Sequence, residues 1–457
     1  MPRDALRTPT IAVIGTGISG MSAAWLLSGK CDVKVFECAS RPGGHSNTAV
    51  LDEGGATVPV DTGFIVYNEN TYPNLTALFA TLGVETEPTN MSFAASLRGG
   101  RTEYSGENLA GLVAQRRNLL RPRFWSMLYD LQRFYRNAPA VLGDVRARSE
   151  TLGGYLARNG YGAAFVEDHL LPLSAAIWSS TPGAMLDYPV QSFVQFHDNH
   201  GLLNFVNRPV WRTVAGGSRN YVEKLTAPYR DAIVYNARIA SIRRLPGSVE
   251  ITDQSGNRTQ VDHVVFATHA DQALALLVNP TDAERALLSA FRYSSNRTYL
   301  HSDPALMPKR KAVWASWNFI DAGGDDTPLV VSYWMNKLQR LPTQRDLFVT
   351  LNPHLPPAEN AIHRVETYEH PLIDAAAIAA QQKLWSIQGE GGVWFCGAYF
   401  GAGFHEDGLQ SGLAVAEEIG VLEGLADVRR PWRVENESGR ICISKDRRVP
   451  AMTGALS

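Results

Sequence analysis

Three glycines at the end of a short apolar run have the spacing to hold a phosphate. Residues 10–20 read TIAVIGTGISG, so that Gly15, Gly17 and Gly20 form G-x-G-x-x-G. A small-residue apolar stretch, Met21–Ser28, follows, and then a second β-branched run, Asp32–Phe36, closed by Glu37, 20 residues after Gly17. Strand, glycine turn, helix, strand and acid in that register make a dinucleotide-binding βαβ unit. Gly15 permits the tight turn, Gly17 admits a pyrophosphate against the backbone, and Gly20 lets helix and strand pack closely. Ile18 and Ser19 begin the helix, whose free N–H groups face the phosphate charge. Glu37, with Cys38 beside it, is placed to accept hydrogen bonds from ribose hydroxyls. An NAD site needs only that acid, whereas here Arg41, Gly43, Gly44 and His45 follow within ECASRPGGHSNT. Paired glycines let a chain pass under an extended cofactor where a Cβ would collide, and an arginine adds charge and forked donors.

The E-x-x-x-R-x-G-G run resembles the second fingerprint of FAD-binding flavoproteins of the amine oxidase-like superfamily. The resemblance continues in order through Asp61–Asn68, where Thr62, Gly63 and Phe64 would lie near the flavin ring, through LTALFATLG (75–83), VAGGS (214–218) and the strand ending in Ala267-Thr268. It closes on Gly397, which ends a strand, and on GAGFHEDGLQSGLA (401–414), a helix start like the family's E-G/A-x-x-S-G. It implies a non-covalent FAD held by Gly15, Gly17, Ile18, Ser19, Gly20, Glu37, Cys38, Arg41, Gly43, Gly44, His45, Thr62, Gly63 and Phe64. Ile239 would meet the adenine, and Ala267, Thr268, Gly397, His405, Glu406 and Asp407 would complete the site. The helix dipole after Gly397 would stabilise negative charge on the reduced flavin. The segments around Asp61–Leu75, Trp314–Asn318 and Phe404–Gly408 are most similar to a bacterial subgroup that resembles the N-terminal extension of plant cyclopropane fatty acid synthases.

Departures from true amine oxidases bear on the substrate. Monoamine oxidases attach FAD through a cysteine upstream of the closing helix, and the nearest upstream cysteine here is Cys396, on the strand itself. The stretch YSSNRTYLH (293–301) has no lysine where those enzymes place one near the flavin, and Asn296 takes the position. Phe404 is the one residue that fits their aromatic cage. These departures argue against amine oxidation.

The elements that must carry these residues are an α/β set: a Rossmann-type FAD-binding domain with a discontinuous α+β substrate domain. The FAD-binding domain is read as 1–75, 207–290 and 388–426, the substrate domain as 76–206 and 291–387, and 427–457 as an irregular tail. Residues 107–206 are helix-rich, with Phe124, Leu128, Leu131, Phe134 and Tyr135 at helical spacing and Arg116, Arg117, Arg121, Arg123, Arg133 and Arg136 among them. That stretch reads as a core-facing helix or as an amphipathic surface in peripheral contact with a membrane. Trp178 reads as pocket lining or as core.

A chain of 457 residues with 45% hydrophobic and 19% charged residues is globular and large enough for two domains. A net charge of −2 does not suggest a nucleic-acid binder, which would normally show a strongly basic face. Cys31, Cys38, Cys396 and Cys442 have neither metal-ligand nor disulfide-framework spacing, so no metal is expected and the thiols fit a cytoplasmic protein.

The expected function is an FAD-dependent oxidoreductase that moves a hydride from a lipophilic substrate, a fatty acyl chain, to flavin N5. The alternatives are a redox-neutral double-bond isomerase of unsaturated fatty acids and a non-catalytic flavin-binding partner of a lipid-modifying methyltransferase. Candidate catalytic residues are His405 as a proton shuttle near neutral pH, Glu406 as its helper, and Tyr67.

Overall fold

The computed structural model describes residues 7–148, 150–178, 182–204, 208–321 and 330–434. The first strand, β1 (Thr10–Ile14), and β2 (Asp32–Phe36) flank the helix α1 (Ile18–Leu27). They lie in a five-stranded parallel sheet ordered Ile233–Val234, β2, β1, His263–Phe266, Val393–Phe395. Helices cover one face, and an antiparallel sheet with short helices covers the other, so β1 is buried and apolar from Ile11 to Ile14. α1 is buried along its whole length because the closing helix, His405–Leu422, packs over it.

The stretch Ile233–Ile242 has β-branched strand character but divides between two sheets. Ile233–Val234 pairs with β2, and after Asn236, at φ 55, Ile239–Leu245 joins an antiparallel three-stranded sheet. Asn tolerates that left-handed conformation, which turns the chain.

The second unit is a seven-stranded sheet ordered Ile362–Leu372, Arg292–His301, Phe348–Leu351, Val330–Trp334, Trp317–Ile320, Phe93–Leu97, Thr102–Ser105. Its strands come from two separate stretches of chain, joined by the parallel pairing of Trp317–Ile320 with Phe93–Leu97. The helices between residues 109 and 199 pack beside it around Phe134, Phe165, Trp178 and Phe193. Trp178 is thus part of that aromatic core.

Residues 427–434 are irregular but docked: Val428 is buried against Gly420, Trp432 stacks on Trp25 at 6.5 Å, and Val434 N donates to Asn74 Oδ1. Cys442 lies outside the described residues, while Cys31, Cys38 and Cys396 are free thiols. No helix among the described residues is long and apolar enough to cross a membrane, and no metal-ligating cluster occurs among them.

Candidate flavin site

The glycine turn is held by close contact. Gly15 has φ +101, and a Cβ there would sit 2.9 Å from Ala267 O; one on Gly20 would sit 2.1 Å from Gly15 O. Ala267 and Thr268 therefore form the back wall of the turn. Gly17 is different, because a Cβ added to it would meet nothing within 4 Å. It caps α1 in an extended conformation with no side-chain cap, so the first N–H groups, from Ile18 onward, face that open space. Gly44 closes on it from the other side: its Cβ would lie 3.2 Å from Gly17 Cα. This cradle of bare backbone, closed to side chains behind and open in front, fits a pyrophosphate.

Glu37 is buried at the end of β2, and one of its oxygens accepts from Thr16 N at 2.9 Å and from the Thr16 hydroxyl. The other accepts from Ala39 N at 2.8 Å and faces Cys38 Sγ at 3.4 Å. Ala237 N donates to Glu37 O, which brings Ile239 to the same sheet edge, packed against the cluster of Ile14 and Phe36. The Arg41 guanidinium donates to the carbonyls of Pro42, Gly44 and Ser46, holding the Pro-Gly-Gly loop in its turn.

That loop runs on to His45, whose carbonyl accepts from Phe64 N at 2.8 Å. A Cβ on Gly63 would fall 2.1 Å from the same oxygen, so only glycine fits. Thr62 donates its N–H to Asn47 O, and its hydroxyl lies 2.7 Å from Tyr368 Oη. The His45 ring packs against Tyr368 at 5.0 Å and His370 at 5.6 Å, and Asn296 Nδ2 lies 3.2 Å from His370 Nδ1. Burial, with His370 adding its charge, pushes His45 down to about 3.

The closing helix meets α1 through small residues. A Cβ on Gly408 would press Ile18 at 2.9 Å, and one on Gly412 would sit 2.1 Å from Ser19 O. Gly397 N donates to Ser411 Oγ at 2.9 Å, tying the strand end to the helix. Two helix N-termini therefore converge on one groove. Asp407 Oδ2 accepts from Phe404 N at 2.9 Å, and burial raises its carboxyl to about 7.

The three catalytic candidates do not come together. His405 is in the groove, stacked on Phe64 at 3.8 Å, with Nε2 2.7 Å from Tyr221 Oη. Burial, with His45 nearby, lowers its pKa to about 3, so the imidazole is neutral and does not titrate near pH 7 as expected. Glu406 faces away. It accepts from Asn74 N, Asn74 Nδ2 and Leu75 N at 2.8–3.0 Å, capping the helix Pro73–Leu82, so its carboxylate is committed to structure. Tyr67 is buried between Tyr72 and Phe79, and its hydroxyl is directed to Thr86 and Arg212 rather than to the groove.

Sequence reasoning passed over three residues. Asp61, pushed up to about 6 by burial, gathers Ser218 N, Ser218 Oγ, Thr48 Oγ1 and Gln339 Nε2 at 2.6–3.0 Å. Ser46 and Tyr221 hydrogen-bond each other beside His405. Nothing local marks them, because their partners come from distant segments. The acid before Thr62-Gly63 was the one available signal.

A parallel-sheet dinucleotide unit, a bare pyrophosphate cradle, an acid at the ribose edge and a second helix dipole at the far end define a two-domain FAD-dependent oxidoreductase. The chain belongs to the flavin containing amine oxidoreductase family, whose model matches residues 18–308. It is similar in fold to cyclohexylamine oxidase from Brevibacterium oxydans (16% identity, 90% of this chain and 100% of that one, TM-score 0.65). It is also similar to a triple mutant of putrescine oxidase (14% identity, 91% and 99%, TM-score 0.64). A third similar structure is a CLA-producing fatty acid isomerase from P. acnes (14% identity, 92% and 99%, TM-score 0.62). Among curated protein sequences nothing matches.

Proposed function

We propose that this flavoenzyme acts on a lipophilic substrate, a fatty acyl chain, and that its FAD is bound without a covalent link. What supports this reading is the aromatic cluster that the start of the closing helix joins. Phe404, at the start of the closing helix, stacks on Phe196 at 4.9 Å, and Phe196 lies 4.6 Å from Trp178. The imidazoles and the phenol in this cluster are held neutral by burial: His197 is lowered to about 3, His200 to about 4, and the Tyr188 phenol is raised. An apolar aromatic cluster of this kind suits an acyl chain. Among the described residues, His197 Nε2 and Trp178 Nε1 are buried without a hydrogen-bond partner, a neutral acceptor and a donor within the cluster.

Bound FAD supplies the redox step, accepting a hydride from the substrate. The chain's own part is to hold and orient: Gly17, Gly44 and α1 at the pyrophosphate, Phe64 and His405 as a stacked platform, and the dipole of the closing helix against developing negative charge. His405 Nε2 and Tyr221 Oη, both uncharged, can pass a proton only as a relay. The thiol of Cys396 is fully buried and raised to about 12, which supports non-covalent attachment.

Redox-neutral isomerisation of an unsaturated fatty acid is the second reading, favoured by the likeness to the fatty acid isomerase. Resemblance to the synthase-extension subgroup leads to the same lipid chemistry. Anaerobic stopped-flow mixing with linoleate separates the two readings. Net bleaching of the yellow protein marks oxidation, and product without bleaching marks isomerisation. Mass spectra of co-purified lipids, before and after incubation, name the chain. Rapid bleaching by a primary alkylamine, with acyl lipids inert, would overturn the lipid reading.

A further inference from the structure

The turn Arg116–Leu120 and the helix Pro122–Asn137 carry a surface that flavin chemistry does not use. The inner face of the helix is buried through Phe124, Met127 and Phe134. Its outer face exposes Trp125 (53%) and Tyr129 (67%), one turn apart, beside Leu120 (86%) and Leu119 (37%). Trp125 Nε1 donates to Leu119 O at 2.8 Å, joining turn and helix into one unit.

The surroundings are cationic. Arg123 is neutralised by Glu167 and Asp168, and Arg133 by Asp130. For Arg116, Arg117, Arg121 and Arg136 no carboxylate lies within ion-pair distance among the described residues. Arg136 stands seven residues after Tyr129, on the same side of the helix. Projecting aromatic and leucine side chains, ringed by guanidinium groups that have no carboxylate partner among the described residues, match the interface of an anionic bilayer. Trp and Tyr rings settle at the headgroup level, and arginine forks onto phosphates.

We infer that this face docks the enzyme on anionic lipid, with Leu120, Trp125 and Tyr129 seated in the interface. The inference gives the proposed lipophilic substrate a route of supply, but it stands or falls separately, because binding is read without turnover. The test is co-sedimentation of the FAD-loaded enzyme with phosphatidylcholine vesicles, with and without phosphatidylglycerol. The wild type pellets with the phosphatidylglycerol vesicles and is released by high salt. Leu120→Ser/Trp125→Ser weakens this binding about tenfold or more, a loss of roughly 1.4 kcal/mol, and Arg116→Glu/Arg117→Glu removes the preference for anionic lipid. Because Trp125 also donates to Leu119 O, Leu120→Ser/Tyr129→Ser, which keeps that bond, must weaken binding likewise, with flavin content and melting temperature at wild-type values as its fold control. Failure to pellet with either vesicle overturns the inference, as does pelleting that the variants retain. Self-association of the wild type that the variants abolish, with vesicles ignored, would make the face a protein interface and overturn it too.

Discussion

At the residue scale, the two inner glycines of the first turn do different work. Gly20 keeps a side chain off Gly15 O, so Gly20→Ala places a Cβ at 2.1 Å and should yield insoluble or unfolded protein. Gly17→Ala adds a methyl group where no protein atom lies within 4 Å. It should give a folded but colourless protein, with FAD affinity lowered about 100-fold, roughly 3 kcal/mol; flavin titration and a melting curve of the apoprotein check both halves. Glu406 gives a second contrast. As a cap, Glu406→Gln should cost about 1–2 kcal/mol of stability and leave the pH profile of turnover unchanged. A catalytic acid or base would instead lose a limb of that profile. The acid was legible in HEDGLQSG, but its direction was not, because Asn74 and Leu75 come from the other end of the chain.

At the element scale, the site depends on where two helices cross. Gly412→Ala would push a methyl group to 2.1 Å from Ser19 O and 2.3 Å from Ser22 Oγ, prying the closing helix from α1. Overpacking of this kind costs about 1–3 kcal/mol. Melting temperature and FAD content should fall together, since both N-termini move. Gly29→Ala, with open space around it, should leave both unchanged. The crossing was half-visible in sequence: Ser411-Gly412 announced a close approach but not its partner. The division of Ile233–Ile242 between two sheets was not visible, because both pieces have strand character and only pairing decides which sheet each joins.

At the scale of the whole molecule, buried histidines set the response to acid. His45, His197 and His405 are lowered to about 3, and His169, His200, His301 and His370 to about 4, chiefly by burial. Unfolded, each binds a proton near pH 6.5. Their contribution is therefore complete above that pH and drains as pH falls toward 4. Asp61 and Asp407, raised to about 6 and 7, and Glu406, also raised, act oppositely: their contribution is present at low pH and lost as pH rises through those values. Seven groups outweigh three, so the melting temperature of the apoprotein should drop between pH 7 and pH 5. A flat or rising curve would mean that the histidines are charged in the fold.

The sequence by itself determined the cofactor end. Glycine spacing, a β-branched strand and a terminal acid are short-range constraints, written within 40 residues, and steric exclusion around Gly15 and Gly20 leaves little freedom in how they fold. Only the tertiary structure decided the reactive end. Whether His405 carries a charge, whether Glu406 faces the groove and where Tyr67 sends its hydroxyl depend on burial and on partners far away in the chain. Desolvation and long-range hydrogen bonding have no signature in a local stretch of residues.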